Sequence, residues 1–77
     1  MTPHQSKVLK SIASYWDDNG YSPRYTDLKD MLGYKSEMVV GFHVHGLVDR
    51  GYILHQPRKK RSLELTEKGE AYIKQTS

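Results

Sequence analysis

The chain has 77 residues and no cysteine, with 36% hydrophobic residues and a formal net charge of +3. That leaves room for one domain with one modest core, spanning residues 1–77, and it excludes a disulfide framework or a thiolate metal site. No apolar run approaches the length of a membrane span and no basic-then-apolar leader opens the chain, so a cytoplasmic protein without a membrane partner is expected. One tryptophan, six tyrosines and one phenylalanine carry much of the area that so small a core can bury. The positive charge is concentrated: Arg58, Lys59, Lys60 and Arg61 are adjacent, with no acid among them. Such a run is either a solvated loop or an anion-binding surface, and its place in the fold has to decide between them.

Thr2-Pro3-His4-Gln5 predicts a helix start. Thr2 can cap the free amides, Gln5 can reach back, and proline suits the first helical position. Val8, Ile12 and Tyr15 then share one face, flanked by Leu9 and Trp16, with Lys10, Ser14 and Asp17 opposite; Asn19-Gly20 ends the helix. Ser22 precedes a proline and so avoids helical geometry, which places the start of a second helix after it. Leu28, Met31 and Leu32, with Tyr25 one turn earlier, predict its buried side. Gly33 closes it after about two turns by taking the left-handed conformation.

Ser36 is the expected cap of a third helix, with Glu37 at its positive end. Two residues separate Gly33 from Ser36, and two helices joined by a tight glycine-containing turn form a helix-turn-helix unit. On the third helix Val40, Val44 and Leu47 share a side with Val48 at its edge, while Met38, Phe42, His45 and Asp49 point away; Gly51 ends it. Tyr52 to His55 then reads as a strand and Ser62 to Leu65 as its partner, joined by Gln56 to Arg61. A basic hairpin directly after a helix-turn-helix is a wing. Thr66 caps a short last helix in which Tyr72 and Ile73 are available for packing. Gly69 weakens that helix unless close packing demands a small residue there. The expected fold class is therefore α+β, mainly α: a winged helix-turn-helix of three helices, a two-stranded wing hairpin and a short C-terminal helix.

Residues 2 to 65 resemble the N-terminal DNA-binding domain of LexA-type repressors. The residues that carry the resemblance are Thr2-Pro3, Gln5 and Val8-Leu9; Gly20-Tyr21-Ser22-Pro23; and Leu32-Gly33-Tyr34 before Ser36. They continue with His43, Leu47 and Gly51-Tyr52-Ile53, and end with Pro57, Arg61, Leu63 and Glu64-Leu65. The stretch from Leu65 to Glu70 instead looks like the strand-to-helix junction of MarR- and PadR-type regulators, whose last helix often makes a dimer. The Ser-Lys peptidase domain of LexA-type repressors has no counterpart in these residues, so self-cleavage does not carry over. A free-standing domain of this sort is expected of a phage, a plasmid or a small bacterial regulator.

The resemblance implies that a recognition helix over about residues 36–50 enters the major groove of double-stranded DNA, with Ser36, Met38, Val39, Gly41 and Phe42 at the reading positions. These offer one hydroxyl and several apolar groups, which suit thymine methyls and A·T-rich sites better than hydrogen-bond readout. Phosphate contacts are expected from Lys35, the amides opening the third helix and the wing residues Arg58, Lys59, Lys60 and Arg61, with Arg24, Lys29 and Lys7 as lesser candidates. Arg61 best matches the family's wing position and suits a narrow minor groove. Two copies on an inverted repeat would supply the specificity that one small domain lacks, with the C-terminal helix as the candidate dimer element.

Blander readings stand beside these. Met38 and Phe42 could be covered by the wing or the N-terminal arm, and Gly41 could be tolerated drift. His43 and His45 diverge by about 200° on one helix and cannot share an ion, so no metal is expected. Trp16 and the tyrosines suit core and rim, and Asp17, Asp18, Asp27 and Asp30 read as exposed helix acids. Neither a catalytic constellation nor a cofactor or small-molecule site is evident, so the chain is expected not to be an enzyme. The competing function is a winged helix that binds a protein through Met38, Val39 and Phe42, because exposed apolar clusters mark contact sites.

Overall fold

In the computed structural model, which describes residues 2–55 and 63–76, the first helix (α1, Pro3–Asn19) opens on the predicted capping box. The Gln5 amide donates to the Thr2 hydroxyl at 3.2 Å and the Thr2 amide donates to the Gln5 side-chain oxygen at 3.4 Å. Gly20 ends α1 in the left-handed conformation that glycine adopts without a Cβ penalty. α2 (Tyr25–Leu32) is the short helix foreseen, and Gly33 closes it at φ +70°. α3 (Glu37–Asp49) follows after a turn and finishes in a Schellman arrangement: the Gly51 amide donates to the Val48 carbonyl and the Tyr52 amide to the Leu47 carbonyl.

β1 (Ile53–His55) pairs antiparallel with β2 (Leu63–Leu65), Ile53 opposite Leu65 and His55 opposite Leu63. α4 (Glu67–Thr76) starts at Thr66, whose hydroxyl accepts from the Gly69 amide at 3.1 Å. β1 therefore begins one residue later than the sequence suggests, and Ser62 together with the connection Gln56 to Arg61 lies outside the described residues.

Three α1 residues (Val8, Leu9, Ile12), one α2 residue (Leu28), three α3 residues (Val40, Val44, Leu47) and one from each strand (Ile53, Leu63) form the buried core. Trp16, Tyr25, Leu32, Tyr72 and Ile73 pack around its rim. Met31 departs from the predicted pattern and is 47% exposed. A two-turn helix wedged against two others covers only a narrow stripe, and Met31 lies about 100° round from Leu32.

Two polar contacts fasten the hairpin to the helices. The Trp16 indole N–H donates to the Leu63 carbonyl at 2.8 Å. The Ser22 hydroxyl, buried in the α1–α2 turn, accepts from the Leu63 amide at 2.9 Å and donates to the Pro23 carbonyl at 3.1 Å. β2 is thus held at one residue from both sides. Gly69 is required by packing: a Cβ there would overlap the Tyr52 carbonyl oxygen, which already accepts from the Thr66 amide.

Candidate nucleic-acid interface

α3 is oriented by its apolar side. Val40, Val44 and Leu47 point into the core, which turns the opposite face of the helix outward. On that face Met38 is 84% exposed, Phe42 75% and Val39 38%; Lys35 and Ser36 are exposed at the start of the helix. Neither the N-terminal arm nor any other described element covers Met38 or Phe42. Five of the six predicted positions from 35 to 42 therefore share one open surface.

The sixth, Gly41, does not. It is buried, and a Cβ built on it would stand 3.2 Å from Cε2 of the Tyr25 ring. The glycine serves an internal close approach between α2 and α3, and its place beside the helix is filled by Tyr25. That ring also lies 6.2 Å from the His55 ring, and its burial raises the Tyr25 pKa. The sequence places Tyr25 on the buried side of α2 but not against Gly41, because nothing local signals which helix the ring meets.

Ser36 occupies the N-cap position with extended backbone, but its hydroxyl makes no capping bond. The first amides of α3 are thus not occupied by that hydroxyl, and Glu37 sits beside them. Asp27 differs from its predicted role as a plain exposed acid: its carboxylate accepts from the Arg24 amide at 2.9 Å and so fixes the start of α2. Arg24 and Lys7 are exposed, whereas Lys29 lies 4.0 Å from Asp30. The predicted wing contacts Arg58, Lys59, Lys60 and Arg61 lie outside the described residues.

Behind Phe42 the rings of His4, Tyr34 and His43 meet. His43 stacks on His4 at 5.4 Å with a 17° interplanar angle, and Phe42 meets it edge-on at 5.7 Å. The Tyr34 hydroxyl stands 3.5 Å from His4 Nδ1. Desolvation, with a smaller contribution from the neighbouring His4, lowers the His43 pKa. His45 is exposed, apart from this cluster. Among the described residues no three His, Cys, Asp or Glu side chains converge as metal ligands, and no helix is long and apolar enough to cross a membrane.

Residues 1–62, which include α1, α2, α3, β1 and the basic run, match the LexA DNA binding domain family. The chain belongs to that family. Among curated relatives, the LexA repressor of Desulfatibacillum aliphaticivorans is 41% identical over 63 residues, covering 82% of this chain and 31% of that protein. The LexA repressor of Syntrophobacter fumaroxidans is 39% identical over 66 residues, covering 84% and 32% respectively. That of Thermosipho melanesiensis is 33% identical over 75 residues, covering 95% of this chain and 36% of its own length. The chain spans about a third of the length of these relatives.

Proposed function

We propose that this chain is a double-stranded DNA-binding transcriptional regulator whose α3 lies in the major groove. The observation that carries the reading is the free outer face of α3, the second helix of a helix-turn-helix in a domain of the LexA DNA-binding family. On this reading Lys35, the opening amides of α3 and Arg58, Lys59, Lys60 and Arg61 contact phosphates, with Arg61 reaching the minor groove; Ser36, Met38, Val39 and Phe42 face the bases. Family membership favours the groove over a protein partner as the occupant of this face.

The functional unit is two copies on an inverted repeat, because one domain with few base contacts reaches specificity by doubling them. α4 is the candidate dimer element. Its Tyr72 and Ile73 pack against the domain's own core, and the Tyr72 hydroxyl donates to Ser6 Oγ at 3.0 Å, so pairing through α4 would use its outer side. The chain is expected to act in the cytoplasm on the nucleoid, as a repressor like the proteins it resembles.

Fluorescence anisotropy of a labelled random-sequence duplex, titrated with the chain at several salt concentrations, tests the proposal. About four neutralised phosphates give a log–log salt slope near −4. Combined Arg58→Ala, Lys60→Ala and Arg61→Ala should abolish binding at moderate salt. Absence of binding even at low salt would overturn the reading and point to a protein ligand for Phe42.

A further inference from the structure

Most of the exposed side chains in the first two turns of α3 cannot hydrogen-bond to a base edge. In its first two turns the exposed side chains are Glu37, Met38, Val39 and Phe42, with Ser36 exposed at the cap and His45 exposed two turns beyond Met38 on the same side. His43 is half-buried behind Phe42 and stacked on His4. Position 41 contributes no side chain, and the Tyr25 ring stands in the space beside it. Positions 38, 39 and 42 fall within an arc of about 100° and rise about 6 Å along the axis. Together they form one apolar patch with the reach of two or three base pairs.

In the major groove most distinguishing features of a base pair are donors and acceptors, which these side chains cannot engage. The exception is the thymine C5 methyl. We infer that Met38, Val39 and Phe42 read thymine C5 methyl groups, so that sequence choice in this domain rests on apolar contact rather than on bidentate hydrogen bonds. This rests on the DNA-binding reading and names what the groove-facing helix recognises. The contact would also cover side chains that the isolated domain leaves in water, and each methyl buried contributes about fourfold in affinity, or about 15-fold for two. The same chemistry makes 5-methylcytosine an apolar mimic of thymine at a contacted position, with the base pair's hydrogen-bonding edge altered.

The test begins with selection of tight-binding duplexes from a random library by the full chain. The enriched duplex is then titrated with each thymine replaced in turn by uracil, which removes only the methyl. The starting random duplex serves as the reference for sequence-independent binding. The expected result is a loss of about fourfold at each of a few clustered positions, with the salt slope unchanged. Met38→Ala and Phe42→Ala should weaken binding to the thymine form and shrink the thymine–uracil difference at those positions. The coupling between protein and base changes separates direct contact from altered duplex flexibility. Equal binding of thymine and uracil forms, both tighter than the random duplex, would overturn the inference and leave DNA binding intact. A selection that enriches no sequence would overturn it too. Failure to bind any duplex would overturn the underlying reading as well.

Discussion

Replacing Gly69 by alanine sets two opposed effects against each other. In a solvated helix the change stabilises by about 1 kcal/mol, because alanine loses less backbone freedom than glycine. In this chain the added Cβ would overlap the Tyr52 carbonyl oxygen, a backbone atom that cannot swing aside. The same oxygen accepts the Thr66 amide at 3.1 Å, so pushing α4 away also lengthens the bond at the helix start. Overpacking of this kind costs about 1–3 kcal/mol and a weakened hydrogen bond about 0.5–1.5 kcal/mol, which outweighs the propensity gain and leaves a net loss of about 1–3 kcal/mol. For a domain of this size the melting temperature should fall by about 5–20 °C. Gly41→Ala is the matched control. It receives a similar propensity gain and meets only the edge of the Tyr25 ring, a side chain that can yield by a few tenths of an ångström. Thermal melts followed by circular dichroism should therefore show opposite signs: Gly69→Ala below the parent, Gly41→Ala level with or above it. A Gly69→Ala variant that melts at or above the parent would refute the close packing of α4 on Tyr52.

Ser22→Ala should destabilise the domain by about 1–3 kcal/mol in urea denaturation, because it strands the Leu63 amide away from water. Trp16→Phe keeps most of the ring contact but removes the donor to the Leu63 carbonyl, so a smaller loss of about 1 kcal/mol is expected in the same assay. The lowered His43 pKa means that the unfolded chain binds a proton more readily than the folded one. Stability from this group is fully present above the ordinary histidine value near 6.5 and is lost as pH falls through that value towards the lowered one. The groups facing His43 are His4, Tyr34 and Phe42, and protonation of His4 adds to the cost by like-charge repulsion. Melting temperature measured from pH 8 to pH 5 should fall, and His43→Gln should flatten the acid limb; an unchanged limb would remove His43 as its cause.

The beginnings and ends of the helices were legible because their signals are local. Thr2, Pro3 and Gln5 act on amides within the same turn, and Gly20, Gly33 and Gly51 take positive φ where the sequence places them. The inward sides of α1 and α3 followed from a period of 3.6 residues, and with them the open face carrying Met38, Val39 and Phe42. Helix order and the glycine turn were enough to identify the helix-turn-helix, and the joint spacing of short motifs was enough to indicate the family.

What the tertiary structure decided was every partner that comes from far along the chain. Periodicity shows that Gly41 lies on α3, but only packing brings Tyr25 across it and takes that position out of the reading face. Met31 was misassigned because burial depends on what arrives opposite a side chain, and it remains 47% exposed. The buried Ser22 hydroxyl, the stacking of His4 on His43 and the carbonyl that forbids a Cβ at Gly69 have the same origin. Backbone conformation is set mainly over three or four neighbouring residues, so its rules can be read from the sequence. Side-chain partnership is set by the assembled core, where the partners lie tens of residues apart.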